Sequence, residues 1–113
     1  MNFATDTRDN VTVVTLEGNL MGGPDAGTLN GRLHELLGAG VRNIVLDLTA
    51  VQFINSSGLG LLIGGVHAVR SGGAKLILAG ASEKILTLIK ITKLERIFEH
   101  HPTVDAAVAV LKK

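Results

Sequence analysis

Apolar positions recur along this chain with two periods, one near 2 and one near 3.6, and the changes of period mark its elements. Val11–Gly18, VTVVTLEG, is dense in β-branched residues, which suit a strand. FATDTR precedes it and can fold back across Asp9-Asn10, so an N-terminal hairpin is predicted. From Pro24-Asp25 the helical spacing takes over. Ala26, Leu29, Leu33, Leu36 and Leu37 share one face, and Gly38 and Gly40 end the helix. Asn43–Leu48, NIVLDL, and Lys75–Gly80, KLILAG, are nearly unbroken apolar runs, as in strands covered on both sides. Val45 and Ile77 should therefore be fully buried in neighbouring parallel strands. Between these runs, residues 57–71 read as a helix closed by Gly72-Gly73. Ser82 is placed to cap a helix with Ile85, Leu88 and Ile89 inward. Thr103 is placed to cap another with Val104, Ala107, Val108 and Leu111 inward. RIFEH, at 96–100, reads as a short edge strand, with the His100-His101 pair in the loop leading to Pro102.

Strands alternating with helices imply right-handed crossovers and an α/β fold. The prediction is a mixed, mostly parallel sheet with an N-terminal hairpin and about four packed helices. No repeat, linker or low-complexity tract interrupts the pattern, so residues 1–113 are expected to form one domain. Composition narrows the function. With 113 residues, 46% of them apolar, the chain can bury roughly 65% of its unfolded surface. A formal net charge of +1 gives no single-sign field for nucleic acid or acidic lipid. Trp and Tyr are absent and Phe numbers 3, which argues against base-stacking platforms. The absence of Cys removes disulfides, thiol catalysis and zinc–thiolate sites, and it suits a cytoplasmic protein. The opening MNFATDTRDN lacks the basic-then-apolar pattern of a signal peptide. The most apolar stretch, Leu59–Val66, is far shorter than the roughly 20 residues that span a bilayer.

Chemistry concentrates where DLTAVQFINSSGLGLLIGG, 47–65, passes from strand to helix. A phosphate cradle is one reading, but Gly58, Gly60 and Gly64 miss the G-x-G-x-x-G spacing, and the P-loop Lys is missing. Catalysis is another. Ser56 lacks the glycines of a nucleophile elbow, and His34, His67, His100 and His101 show no base-plus-orienter pattern. Adjacent His100-His101 lacks the spacing of a helical metal pair. One serine is expected to cap the helix, leaving the other at the tip. Leu59, Leu62, Ile63, Val66 and Val69 form the core stripe, whereas Gly60, Gly64, His67 and Ser71 leave another face nearly bare. Each helical glycine costs about 1 kcal/mol relative to alanine. Close internal packing or a docked partner could offset that, and spacing does not separate the two. A serine at a helix N-terminus beside a smooth face, without catalytic companions, suits phosphorylation that switches binding. Chemistry done on the protein fits better than chemistry done by it, so no enzyme activity, cofactor or metal is expected.

DLTAVQFINSSGLGLL resembles the signature of STAS domains, in particular bacterial anti-sigma factor antagonists, whose pattern runs D-L-S-x-V-x-F-x-D-S-S-G-L-G. VTVVTLEGNLMGGPDAGTLNGRL is similar to the family's opening strand, G-x-L turn and first helix, so the likeness covers nearly the whole chain. The resemblance implies a cytoplasmic switch. Its unphosphorylated form binds an anti-sigma factor that is also a serine kinase, and so frees the sigma factor. ATP-dependent phosphorylation by that kinase ends the interaction, and a serine phosphatase restores it. By position the acceptor is Ser56, with Ser57 the alternative. The expected partner surface comprises Met21, Asn55, Ser57, Gly58, Leu59, Gly60 and Gly64: the resemblance implies that Met21 and Asn55 lie where the family contacts its kinase, and Gly60 and Gly64 lie on the bare helix face. Two of these depart from the pattern. Asn55 replaces the motif Asp, and Met21 replaces an acid that often follows G-x-L. Slower phosphorylation is the expected result. The family also includes small subunits of membrane lipid transporters and parts of stress-signalling assemblies. From a different class, a nucleotide-binding α/β protein would use the glycine-rich turn.

Overall fold

The computed structural model describes residues 2–21 and 24–112. Its elements run β1 (Asn2–Arg8), β2 (Val11–Leu20), α1 (Pro24–Gly38), β3 (Asn43–Ile54), α2 (Ser56–Ser71), β4 (Lys75–Ala79), α3 (Glu83–Ile91), β5 (His100–His101) and α4 (Val104–Leu111). They build one sheet in the order β1-β2-β3-β4-β5. β1 and β2 pair antiparallel, and the remaining pairs are parallel. The hairpin turns at Asp9, whose φ of 53° is a left-handed conformation that aspartate tolerates better than most residues. The four predicted helices and the mixed sheet are all present.

Each face of the sheet buries its own cluster. Leu46, Leu48, Leu76 and Leu78 face one way, against Leu29 and Leu33 of α1, Leu59, Leu62, Val66 and Val69 of α2, and Ile85 and Ile89 of α3. Val11, Val13, Val45, Ile77 and Ala79 face the other way, where Ala107, Val108 and Leu111 of α4 cover them. Val45 and Ile77 are 0% exposed and stand opposite each other in the parallel β3–β4 register. That is the arrangement their unbroken apolar runs predict. Inward placement of Ala26 falls outside the described side chains.

Some boundaries differ from the sequence reading. β3 continues to Ile54 because Val51 and Ile54 keep burying apolar surface beyond Leu48. The predicted edge strand at 96–100 is a turn over 95–97 followed by buried Phe98. Arg70 of α2 binds this turn, donating from Nη2 to the Ile97 carbonyl at 2.9 Å. Only beyond Phe98 does the backbone reach β4. Leu78 N–H donates to the Glu99 carbonyl at 2.9 Å and Gly80 N–H to that of His101 at 3.1 Å. The histidine pair thus lies in the edge strand and not in the loop after it.

The parallel register places the C-terminal ends of β2 and β3 side by side, Leu20 opposite Ile54. α2 starts from that edge. Among the described residues, no helix is long and apolar enough to cross a membrane.

Candidate functional site

The junction is built from a strand end, a cap and a glycine. Asn55 N–H donates to the Leu20 carbonyl at 3.3 Å, which ties the end of β3 to that of β2. Asn55 is in an extended conformation, and its side-chain oxygen accepts from Gly58 N–H at 2.7 Å. The cap of α2 is therefore Asn55, and the expectation that a serine caps the helix is corrected. The helix begins at Ser56, one residue earlier than predicted. Both serines then fall inside the first turn, where a hydroxyl is not in cap position. Both are exposed. Among the described residues neither hydroxyl has a hydrogen-bond partner.

Gly58 makes the tight approach possible. A Cβ there would collide with the Leu20 carbonyl oxygen and lie 3.1 Å from Cγ1 of Ile54. Leu59 is 4% exposed and belongs to the core. These two residues, expected in the partner surface, are instead buried beneath the junction and hold its shape. Gly60 and Gly64 are exposed, and a Cβ at either would meet nothing within 4 Å. Internal packing therefore does not require glycine at these positions. Gly65 is different: a Cβ there would sit 3.1 Å from a methyl of Leu33 on α1. His67 and Ser71 continue the exposed face, while Ile63 is half-buried beside the core stripe.

Met21 follows β2 and is 44% exposed; Phe53, next to the end of β3, is 51% exposed. Phe53 is the site residue that the sequence reading missed. Val51 and Ile54 are the buried positions there, and Phe53 lies exposed between them, beside Gln52. Gln52, Phe53 and Ile54 together with Lys84, Ile85 and Leu88 of α3 line a hollow of about 220 Å³. The first turn of α2 carries no acidic residue. Ser56, Ser57, Met21 and Phe53 thus share the end of the sheet with a helix start bearing no carboxylate.

Among the described residues no acid or histidine is hydrogen-bonded to Ser56. Asp47 is occupied by Thr49, accepting from both its N–H at 3.0 Å and its hydroxyl. His34 and His67 are exposed on α1 and α2. His100 and His101 sit on β5, two strands away from β3. His101 Nε2 contacts Glu99 Oε2 at 3.0 Å, and Lys75 Nζ approaches Glu99 Oε1 at 3.3 Å. The His101 hydrogen bond, helped by Lys75 and opposed by partial burial, holds the Glu99 carboxyl below its ordinary value. Among the described residues no group of three or more His, Cys, Asp or Glu could hold a metal ion.

Residues 2–107 match the STAS domain model. The chain belongs to the STAS family. The anti-sigma-B factor antagonist of Staphylococcus aureus is 32% identical to this STAS chain over 99 residues, 84% of the chain and 87% of that protein. The antagonist of the same name in Listeria monocytogenes is 37% identical over 54 residues, 48% of the chain and only 47% of that protein's length. In structure, an anti-sigma factor antagonist of Thermotoga maritima superposes with a TM-score of 0.86 at 24% identity, over 98% of this chain and 95% of that one. The phosphorylated form of the Bacillus cell fate determinant SpoIIAA superposes with a TM-score of 0.71 at 18% identity, over 96% and 99%. At these identities the structural likeness is one of fold. The mixed five-stranded sheet, the hairpin and the four helices are those of a STAS domain.

Proposed function

We propose that this STAS domain is an anti-sigma factor antagonist, which in its unmodified state binds an anti-sigma factor that is also a serine kinase. Phosphorylation of Ser56 ends the interaction and a serine phosphatase restores it, so transcription is regulated indirectly from the cytoplasm. The observation that carries this reading is the unpartnered, exposed Ser56 hydroxyl on a helix start already capped by Asn55. Because the cap does not use the serine, its modification leaves the cap intact. The name of the Staphylococcus aureus relative supports the same reading.

A phosphate on Ser56 would meet the free N–H groups of the first turn, which favour it by about 0.3–1 kcal/mol at an exposed site. Desolvated in an interface, the same charge of roughly −1.5 to −2 costs several kcal/mol. The domain therefore survives modification and the complex does not. Met21, Phe53, Asn55 and Ser57, with the Gly60–Gly64 face, form the proposed partner surface.

The test is phosphate incorporation by the cognate kinase into wild type, Ser56→Ala and Ser57→Ala. Labelling of wild type and Ser57→Ala but not of Ser56→Ala is expected. Labelling that survives Ser56→Ala and vanishes in Ser57→Ala would reassign the acceptor. If no variant is labelled, the switch is refuted and a transporter-subunit or scaffold role takes its place. Tight ATP or GTP binding by the isolated domain would instead favour a nucleotide-binding protein.

A further inference from the structure

His100 makes a contact that the proposed switch does not use. Its Nε2 accepts a hydrogen bond from the Ala81 N–H at 3.1 Å. A ring that accepts at Nε2 must be neutral, with its proton on Nδ1. Ala81 immediately precedes Ser82, the cap of α3, and the cap's own bond to Ile85 N–H is long at 3.4 Å. The imidazole therefore supplies a shorter tether between the edge strand and the entry to α3.

We propose that His100 is an acid-sensitive latch on α3: a proton taken up at Nε2 releases the Ala81 amide and loosens the start of the helix from the sheet. The imidazolium is a donor at both nitrogens, so turning the ring over does not restore the bond. The surroundings give the charged ring somewhere to go. His100 lines a hollow of about 540 Å³ between α3 and the segment that leads into β5. From α3 this hollow is lined by Glu83 and Lys90, and from the preceding turn by Glu95. None of the three forms an ion pair among the described residues. Glu83 and Glu95 favour the cation; Lys90 opposes it. Just before β5 Glu99 is taken by His101 and Lys75, and on α4 Asp105 is taken by Arg8 at 2.8 Å. Neither carboxylate is free to hold His100 in its present place.

Burial, with a smaller contribution from His101, pushes the His100 imidazole below its ordinary value of 6.5. A lowered value means that the latch is closed above 6.5 and opens as pH falls through the lowered value. Because Ile85 and Leu88 of α3 also wall the hollow beside Phe53, opening loosens one side of the partner surface. That last link rests on the proposed function; the latch itself does not.

The experiment is an NMR titration of the intact chain from pH 8 to pH 5. Ring nitrogen shifts should show the Nδ1–H tautomer of His100 at the upper end. The Ala81 amide should titrate with the His100 ring, and its exchange protection, corrected for intrinsic rate, should fall roughly tenfold on protonation. His101→Asn should leave this intact. In His100→Asn, whose side-chain carbonyl can accept without titrating, Ala81 should keep its protection throughout. An Nε2–H tautomer in wild type refutes the latch whatever the variants do. So does an Ala81 amide indifferent to the His100 titration, or one that titrates unchanged in His100→Asn. None of these readouts involves a kinase or an anti-sigma factor, so failure here leaves the proposed function standing, and the reverse.

Discussion

A neutral amide closes the N-terminus of α2, and this makes Asn55 and Gly58 the most sensitive residues of the junction. Asn55→Ala removes the acceptor for Gly58 N–H and should lower unfolding free energy by about 1 kcal/mol. Asn55→Asp caps equally well and adds a charge that the helix dipole favours, so urea unfolding should place it at or above wild type. The same Asp variant should be phosphorylated faster on Ser56, because it restores the carboxylate of the family pattern. Stability and labelling rate measured together would separate these two roles of one side chain. Gly58→Ala forces a methyl onto the Leu20 carbonyl. Backbone cannot yield as a flexible side chain can, so a loss of about 1–3 kcal/mol is expected. The sequence showed that a cap was needed but not which residue made it. Asn and Ser are comparable caps, and a one-residue difference in helix start decides between neighbours. Phe53 was illegible for a related reason: the alternation in β3 breaks at the adjacent exposed pair Thr49 and Ala50, so its side could not be counted forward from Leu48.

In α2 the glycines divide into two kinds that their spacing alone could not distinguish. Gly58 and Gly65 stand where a side chain would press on Leu20 or Leu33, whereas Gly60 and Gly64 look into open space. Alanine at either of the latter should raise stability by up to about 1 kcal/mol, since it adds helix propensity and meets nothing. Gly64→Leu should likewise leave the melting temperature at or above wild type. In calorimetric titration it should sharply weaken binding to the partner. Unchanged binding would remove this face from the partner surface. The other elements were legible to different degrees. β3 and β4 announced themselves by β-branched and Leu-rich runs, and the caps at Ser82 and Thr103 were readable because each precedes a clean apolar stripe. β5 was readable as an edge strand but not in its position, because two residues carry no periodicity and their place depends on where the turn over 95–97 leaves the backbone.

Across the whole molecule, acid acts at the β5 edge through two groups whose effects have the same sign. The values of His100 and Glu99 are both lowered in the fold. Each therefore contributes stability that is present above its unfolded value and lost as pH falls through the folded one. For His100 the loss begins below 6.5, and for Glu99 below 4.5. Urea midpoints measured against pH should fall in two stages, with His100→Asn removing the upper and Glu99→Gln the lower. The two-sided burial of the sheet was legible at this scale, since strands without polar alternation need cover on both faces. Among the described residues α4 alone supplies that cover on one side, and this fixes an order of events. Val11 and Val13 enter the chain near its beginning, yet Ala107, Val108 and Leu111, which shelter them, come near the end of the described chain. While still tethered to a ribosome that has not released residue 104, the sheet shows a bare strip of Val11, Val13, Val45 and Ile77 to whatever surrounds it. Such a nascent chain is sticky and a substrate for chaperones until α4 emerges. Stalling translation just before α4 should therefore yield aggregation-prone chains, whereas stalling beyond Leu111 should yield chains able to fold.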